Sequence, residues 1–176
     1  MKLIRLLEIF VLIIFVSGCT TTQPTAGSQK PIIRGLRPPT SIKHGNIESY
    51  KYMYITPTNE LTSSAGYTIG GQYYSSSKSV NPSDVISGIL IKAGFIRLPE
   101  LKPELIDETL IVNYGESGRR NTGLGGYTIE VTIQFISSKT SALICSCTAE
   151  GQGSTEADDI RQAVTRCLSE LVLQGD

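Results

Sequence analysis

Three cysteines in the second half of the chain, Cys145, Cys147 and Cys167, carry its most reactive side chains. Cys145 and Cys147 stand two residues apart, so in a strand both leave the same face. Cys167 falls among the apolar positions of a helical pattern. In an oxidising compartment Cys167 can bond Cys145 or Cys147; the alternative is three small buried hydrophobes. No metal is expected, because the single histidine, His44, falls in the flexible spacer expected over residues 19–49 and Cys145-x-Cys147 lacks the two-residue gap usual for zinc thiolates.

The second candidate is Gly115-Glu116-Ser117-Gly118-Arg119-Arg120-Asn121-Thr122-Gly123-Leu124-Gly125-Gly126, with five glycines and two adjacent arginines. Read as a binding loop, its backbone amides and the Arg119 and Arg120 guanidinium groups, with Glu116 beside them, can hold a carboxylate or phosphate. Read structurally, it is a long mobile hairpin loop, and it matches neither a phosphate-cradling loop nor a dinucleotide fingerprint. Catalysis would need a nucleophile with a base, or two carboxylates in different environments. Asp107, Glu108, Glu116 and Glu130 could supply a carboxylate pair, but nothing in their spacing requires one. No catalytic residue and no cofactor is assigned. Asp158-Asp159 reads as helix-dipole stabilisation.

At the other end of the chain, Lys2 and Arg5 precede an apolar stretch from Leu6 to Val16, broken only by Glu8. A bilayer-spanning helix needs about 20 apolar residues, so this segment is too short for one and reads as a removable signal. Val16-Ser17-Gly18-Cys19 follows, and it resembles the lipobox of bacterial lipoproteins: an aliphatic residue, two small residues and a cysteine. The resemblance implies cleavage after Gly18, a diacylglyceryl thioether on Cys19 and acylation of its new amine. Two or three acyl chains hold a protein to a membrane, where one gives an association constant of only about 10⁴ per molar. Thr20 is not an acidic retention residue, so the expected address is the cell envelope, at the outer membrane and facing the periplasm. The other reading is an ordinary secretory signal cut near Ala26.

Composition limits the partners. Lys plus Arg equals Asp plus Glu at 16 each, and removing Lys2, Arg5 and Glu8 with the leader leaves the two signs within one charge of each other. A nucleic-acid partner, which favours a basic stripe, is not expected. The partners implied are the membrane, through lipid on Cys19, and an envelope protein or glycan.

The elements that must position these groups follow from periodicity. Residues 1–18 are the leader, 19–49 a flexible Thr-, Pro- and Ser-rich spacer, and 50–174 the domain. Ser49 to Thr56 alternates as a strand, with Tyr50, Tyr52 and Tyr54 on one face. Gly66 to Tyr74 is a short strand or an ordered loop, and Ser75 to Ser77 begins a polar connection. Asn81, Pro82 and Asp84 open a helix that Gly94 ends, with Val85, Ile86, Ile89, Leu90 and Ala93 as its apolar stripe. Thr109 to Tyr114, Tyr127 to Ile136 and Ala142 to Ala149 are three more strands, the last two an antiparallel pair. Thr155 caps a closing helix whose buried stripe is Ile160, Ala163, Val164, Cys167, Leu168 and Leu171. The order β-α-β-β-β-α predicts an α+β two-layer sandwich: a mostly antiparallel sheet with two helices on one face.

Asn81-Pro82-Ser83-Asp84, Asn113-Tyr114-Gly115-Glu116-Ser117-Gly118-Arg119-Arg120 and Asp158-Asp159-Ile160, together with the lipobox, give a resemblance across roughly Tyr50 to Leu173. The chain is similar to a family of small uncharacterised lipoproteins of Bacteroides-type bacteria. That family has no catalytic motif to transfer, and a looser similarity to sandwich domains of envelope-assembly lipoproteins is fold-level analogy. The function expected is a membrane-anchored, non-enzymatic binding or assembly module, acting through the Gly115 to Gly126 loop or an exposed tyrosine face. The alternatives are a small envelope hydrolase using carboxylates, and a structural domain that oligomerises by sheet-edge pairing.

Overall fold

The computed structural model describes residues 35–123 and 126–172. The leader, Cys19 and the first part of the expected spacer lie outside these residues, as do Leu124, Gly125 and the tail after Val172. Within them run β1 (Thr40–Lys43), β2 (Tyr52–Ile55), β3 (Leu61–Ile69), β4 (Gln72–Val80), α1 (Pro82–Lys92), β5 (Ile96–Arg97), β6 (Thr109–Gly123), β7 (Gly126–Ser137), β8 (Leu143–Gly151) and α2 (Glu156–Val172). One sheet has the strand order β1-β8-β7-β6-β2-β5, and β3 and β4 form a separate two-stranded hairpin. β1, β8, β7 and β6 pair antiparallel, while β2 runs parallel to both β6 and β5. The architecture is an α+β sandwich, with α1 and α2 covering one face of a mixed, largely antiparallel sheet.

Alternation decides which face is covered. Met53 and Ile55 of β2, Leu110 and Val112 of β6, Ile129 to Phe135 at odd positions of β7, and Cys145, Cys147 and Ala149 of β8 are all buried under the helices. Tyr52 and Tyr54 take the opposite, open face and are half-buried, whereas Tyr50 precedes the strand and packs against the core. From α1, Ile86 and Leu90 are fully buried, with Val85 and Ile89 partly so and Ala93 exposed. All six positions expected of the α2 stripe are buried. Each large aliphatic side chain so buried contributes about 1.5–3 kcal/mol.

Three expectations need correction. The spacer does not extend to residue 49: Leu36 and Ile47 are buried, and β1 pairs with β8 from Thr40↔Thr148 to Lys43↔Cys145. All four β1 residues are exposed, so this edge strand is held by backbone pairing and leaves no apolar alternation to read. Gly66 to Tyr74 is neither one short strand nor an ordered loop, and the serines after it are not a connection: together they are the tip and return of a two-stranded hairpin. Its turn residues Gly70 (φ +58°) and Gly71 (φ +81°) take the left-handed backbone that a tight hairpin turn requires and glycine permits. The stretch from Gly115 to Gly126 is likewise not an open loop, because β6 and β7 remain paired out to Gly123↔Gly126.

α2 lies unusually close to β8. A sheet and a helix layer ordinarily stand about 10 Å apart, as stacked sheets do. Here β8 presents Cys145, Cys147, Ala149 and Gly151 to a helix that answers with Ala157, Ala163 and Cys167, and a Cβ on Gly151 would overlap the Asp159 carbonyl. This approach joins Cys147 to Cys167 as a disulfide with Cα atoms 5.4 Å apart, inside the range a disulfide tolerates. Cys145 remains a buried free thiol whose ionisation is pushed up to about 11 by burial, with Lys43 acting in the other direction. The bridge spans 20 residues. Closing a loop of that size stabilises a domain by about 3 kcal/mol through the unfolded chain. Urea unfolding with and without reductant should therefore differ by that amount, and Cys147→Ser should remove the difference. An unchanged midpoint on reduction would show that the bridge does not stabilise the domain.

Candidate functional site

The β6–β7 arm holds the three residues that the sequence singles out, and its local geometry sends them to different places. Register shifts between Glu116 and Gly118, so Ser117 is an extra residue in β6 with no partner in β7. Such a bulge re-aims the side chains that follow it. Ser117 turns its hydroxyl to the open face, donating to Glu130 Oε1 at 2.9 Å and accepting from Thr132 at 3.1 Å. Thr132 in turn meets the Thr148 hydroxyl at 2.8 Å. A polar ladder thus crosses β6, β7 and β8 on the uncovered face.

Beyond the bulge, the adjacent arginines leave opposite faces. Arg119, opposite Ile129, lies on the helix-covered side. It pairs with Glu156 at the start of α2, reaches Glu116 at 3.7 Å, and stands 5.5 Å from the centre of the Tyr127 ring. Tyr114, on the same side, buries a hydroxyl with no hydrogen-bond partner. Burial, then the charges of Glu116 and Glu156, push its ionisation far up.

Arg120 lies on the open side and makes a two-pronged contact with Glu150 of β8: Nε donates to Oε1 at 2.9 Å and Nη2 to Oε2 at 2.7 Å. Nη2 also donates to the Gly35 carbonyl at 2.7 Å. Glu150 is only 2 % exposed and accepts the Arg37 backbone N–H at 2.9 Å. The Arg166 guanidinium completes the group, donating to the Glu150 carbonyl and, at 2.6 Å, to the Arg37 carbonyl. Arg120, Glu150 and Arg166 together fasten the incoming segment Gly35 to Arg37 onto the sheet. The Arg120 hydrogen bonds, foremost, hold the Glu150 carboxyl down at about 2 despite its burial.

The structure therefore does not bring Glu116, Arg119 and Arg120 together as one anion-binding loop. Sequence reasoning missed Glu150, Arg37 and Arg166. One signal was available: Glu150 continues the wet-face series Ser146, Thr148 of β8, a lone acid awaiting a cation. Three of the four carboxylates considered for catalysis are engaged likewise. Glu130 accepts from Ser117, Asp107 pairs with Lys139 at 3.2 Å, and Glu116 and Glu156 share Arg119. Asp158 is held down to about 2, first by its hydrogen bond from Lys78. Burial pushes Asp159 up, partly offset by the Gly153 N–H. Among the described residues no group of three or more His, Cys, Asp or Glu side chains is placed to hold a metal. A cavity of about 500 Å³ opens at one end of the sandwich, with Ile47, Phe95, Cys145 and Leu171 below and Lys43 and Lys51 at its edge.

The chain matches no protein-family model, and no curated protein matches it. Among solved structures it is similar to the PelC dodecamer from Paraburkholderia phytofirmans in two crystal forms. A single-substitution variant matches at 15% identity and TM-score 0.45, over 76% of this chain and 95% of that one. The second form matches at 14% and 0.42, over 76% and 96%. A likeness this loose carries no argument about fold or function.

The Glu150 contacts have a pH signature. A carboxyl lowered from 4.5 to about 2 contributes stability that is complete above pH 5 and is lost as pH falls toward 2. That contribution is about 3 kcal/mol. Glu150→Gln should cost a comparable amount at pH 7 and flatten the acid limb of a stability-against-pH curve measured by urea unfolding. A variant with the wild-type acid slope would mean that Glu150 is not the group responsible.

Proposed function

We propose that the chain is a lipid-anchored protein of the bacterial cell envelope whose sandwich domain is a non-enzymatic binding or assembly module. The observation that carries the reading is the cysteine of Val16-Ser17-Gly18-Cys19, placed where a short apolar segment ends. A thiol there is suited to take a diacylglyceryl group, and the small residues before it suit a signal protease. On this reading the chain belongs with the small lipoproteins of Bacteroides-type bacteria that it resembles, and the domain faces the periplasm from the outer membrane.

The absence of catalysis is inferred from how the charged groups are used. Arg120 and Glu150 neutralise one another while holding Gly35 to Arg37. Glu116 and Glu156, the carboxylates that approach one another through Arg119, are bridged by a cation rather than set apart as an acid and a base. A hydrolase using carboxylates would need a pair set in different environments in a cleft, whereas the cavity at Ile47 and Phe95 is lined by a single one, Glu48. What this leaves for function is surface: an envelope protein or glycan is the partner proposed, and neither nucleic acid nor a cofactor is.

Intact mass of the protein extracted from its host's membranes tests the anchor. The expected species begins at Cys19 and carries added acyl mass, and Cys19→Ala abolishes that species, with its fractionation followed in parallel. A wild-type protein that lacks lipid and begins near Ala26 would replace this reading with a freely secreted one.

A further inference from the structure

The β3–β4 hairpin stands away from the sheet, and its residues satisfy little inside the domain. Pairing runs through nine registered positions, from Leu61↔Val80 to Ile69↔Gln72. Only the root is anchored. Val80 is buried, Ser63 accepts the Ala157 N–H at 2.9 Å, and Lys78 binds Asp158 at 2.7 Å. Past the root every β4 residue is exposed, and of β3 only Leu61, Ser63 and Ala65 are partly covered. A two-stranded hairpin alone in water is marginally stable at best, so an arm of this length needs devices of its own to keep its shape. It has three: the Gly70-Gly71 turn, the Tyr67–Tyr74 cross-strand pair, and Tyr73, whose ring lies across Gly66 where a Cβ would overlap it. An aromatic covering a strand glycine is a known means of stiffening a sheet edge.

The surface so held is distinctive in composition. Tyr67, Tyr73 and Tyr74 are 61%, 71% and 47% exposed. Tyr67 and Tyr74 are nearly parallel, at 19° with ring centres 5.7 Å apart, and form a flat aromatic platform on one face. The other face carries Tyr73 among hydroxyls, with Thr62, Ser64, Thr68, Ser75 and Ser77 alternating along the two strands. No charged residue lies between Glu60 and Lys78, and Lys78 is already engaged by Asp158.

Charge decides what such a surface fits. An anionic polymer, a nucleic acid or an acidic lipid headgroup would find no cation on it. A bilayer interior could accept the Tyr67, Ile69 and Tyr74 side, but would also have to take up Gln72 and Ser76 and the opposite face with Thr62, Ser64, Thr68, Ser75 and Ser77, whose polar groups lose their water there without replacement. A neutral partner that itself alternates apolar planes with hydroxyls meets no such mismatch. Sugar rings have that form: their C–H faces stack on aromatic rings while their hydroxyls exchange hydrogen bonds with Ser, Thr and Tyr. Rigid tyrosines among small hydroxylated residues supply contact area at low entropic cost, as they do in antibody combining sites. We infer that the β3–β4 hairpin is a recognition arm for a neutral glycan, with Tyr67 and Tyr74 as its stacking platform and Tyr73 as a second contact on the opposite face. The inference rests on the binding-module reading and names its ligand class and site.

The chain contains eight tyrosines and no tryptophan, so intrinsic emission comes from tyrosine alone, and the part due to the platform is the difference between wild type and the double variant of Tyr67 and Tyr74. Full-length protein in detergent is titrated, by emission and by calorimetry, with linear neutral oligosaccharides built on glucose, mannose, galactose or N-acetylglucosamine, and with dextran sulfate as the charged comparison. At least one neutral series should bind, with an affinity unchanged between low and high salt. Replacing both platform rings, Tyr67→Ala with Tyr74→Ala, should weaken it about tenfold, while Tyr67→Phe should keep it. Both positions are exposed, and an unchanged urea midpoint shows that the variant is folded. The assignment is overturned if no neutral series binds, if the double variant binds as well as wild type, or if dextran sulfate binds better. It is also overturned if what the double variant loses is self-association or attachment of the Cys19→Ala chain to phosphatidylcholine vesicles; the occupant is then a second copy or a bilayer. Lipid on Cys19 is read separately by mass, so failure of glycan binding and failure of the anchor are distinct results.

Discussion

The close seating of α2 on β8 is the constraint on which the other features depend. It exists because one face of a strand is lined with Cys145, Cys147, Ala149 and Gly151, residues too small to hold a helix at the usual distance. Several consequences follow from this geometry. Cys147 and Cys167 come within bonding reach, Glu156 comes beneath the Arg119 side of the β6–β7 arm, and Arg166 comes to the edge where the chain enters. A larger side chain at Gly151 would push on the Asp159 carbonyl, which belongs to the first turn of α2. Such overpacking costs about 1–3 kcal/mol. It would also shift the start of the helix against which the β3–β4 hairpin is rooted through Ser63 and Lys78.

Around that contact the polar groups are allotted by strand parity. Positions under the helices are mostly apolar, with Glu116 and Arg119 of β6 as charged exceptions, and the open face carries the hydroxyls of Ser117, Thr132 and Thr148 and one buried acid, Glu150. Adjacent strand residues leave opposite faces, and because the bulge at Ser117 changes the phase of β6, Arg119 is the one turned toward α2 and Arg120 the one turned to the open face. Arg119 ties the arm to α2, whereas Arg120 ties it to β8 and to the incoming chain. Charges that looked like a ligand site are thus part of the connection between elements. The hairpin, uncharged beyond Lys78, is a surface on which the fold leaves three tyrosines exposed.

The parts of this architecture that were legible in the sequence are those with a buried face. α1 and α2 show apolar spacing with Asn81 and Thr155 at their starts, and β7 and β8 alternate because one side is covered. The elements that escaped notice are those exposed on both sides. β1 has four exposed residues, and β4 from Gln72 to Ser79 is a row of Ser and Tyr with no inner side. In such strands the backbone ladder supplies the order, and side-chain pattern records nothing of it. Glycines at 115, 118, 123 and 126 likewise suggested an open loop, although the strands remain paired through them. The Cys167 partner could not be chosen from spacing, since Cys145 and Cys147 share a face. Only the axial position of α2 along β8 selects Cys147.

The attachment of Gly35 to Arg37 has a mechanical side. Among the described residues, a pull transmitted along the chain from its N-terminal direction meets Gly35 to Arg37 ahead of β1. There it meets the Arg120 and Arg166 hydrogen bonds to the Gly35 and Arg37 carbonyls, and the Glu150 carboxylate on the Arg37 N–H. Edge strand β1 peels one backbone bond at a time if loaded from its end. Contacts that grip the chain upstream of Thr40 instead spread the load over β6, β8 and α2 together. The clamp therefore acts as a strain relief, and an edge strand held by backbone pairing is not the one that bears tension.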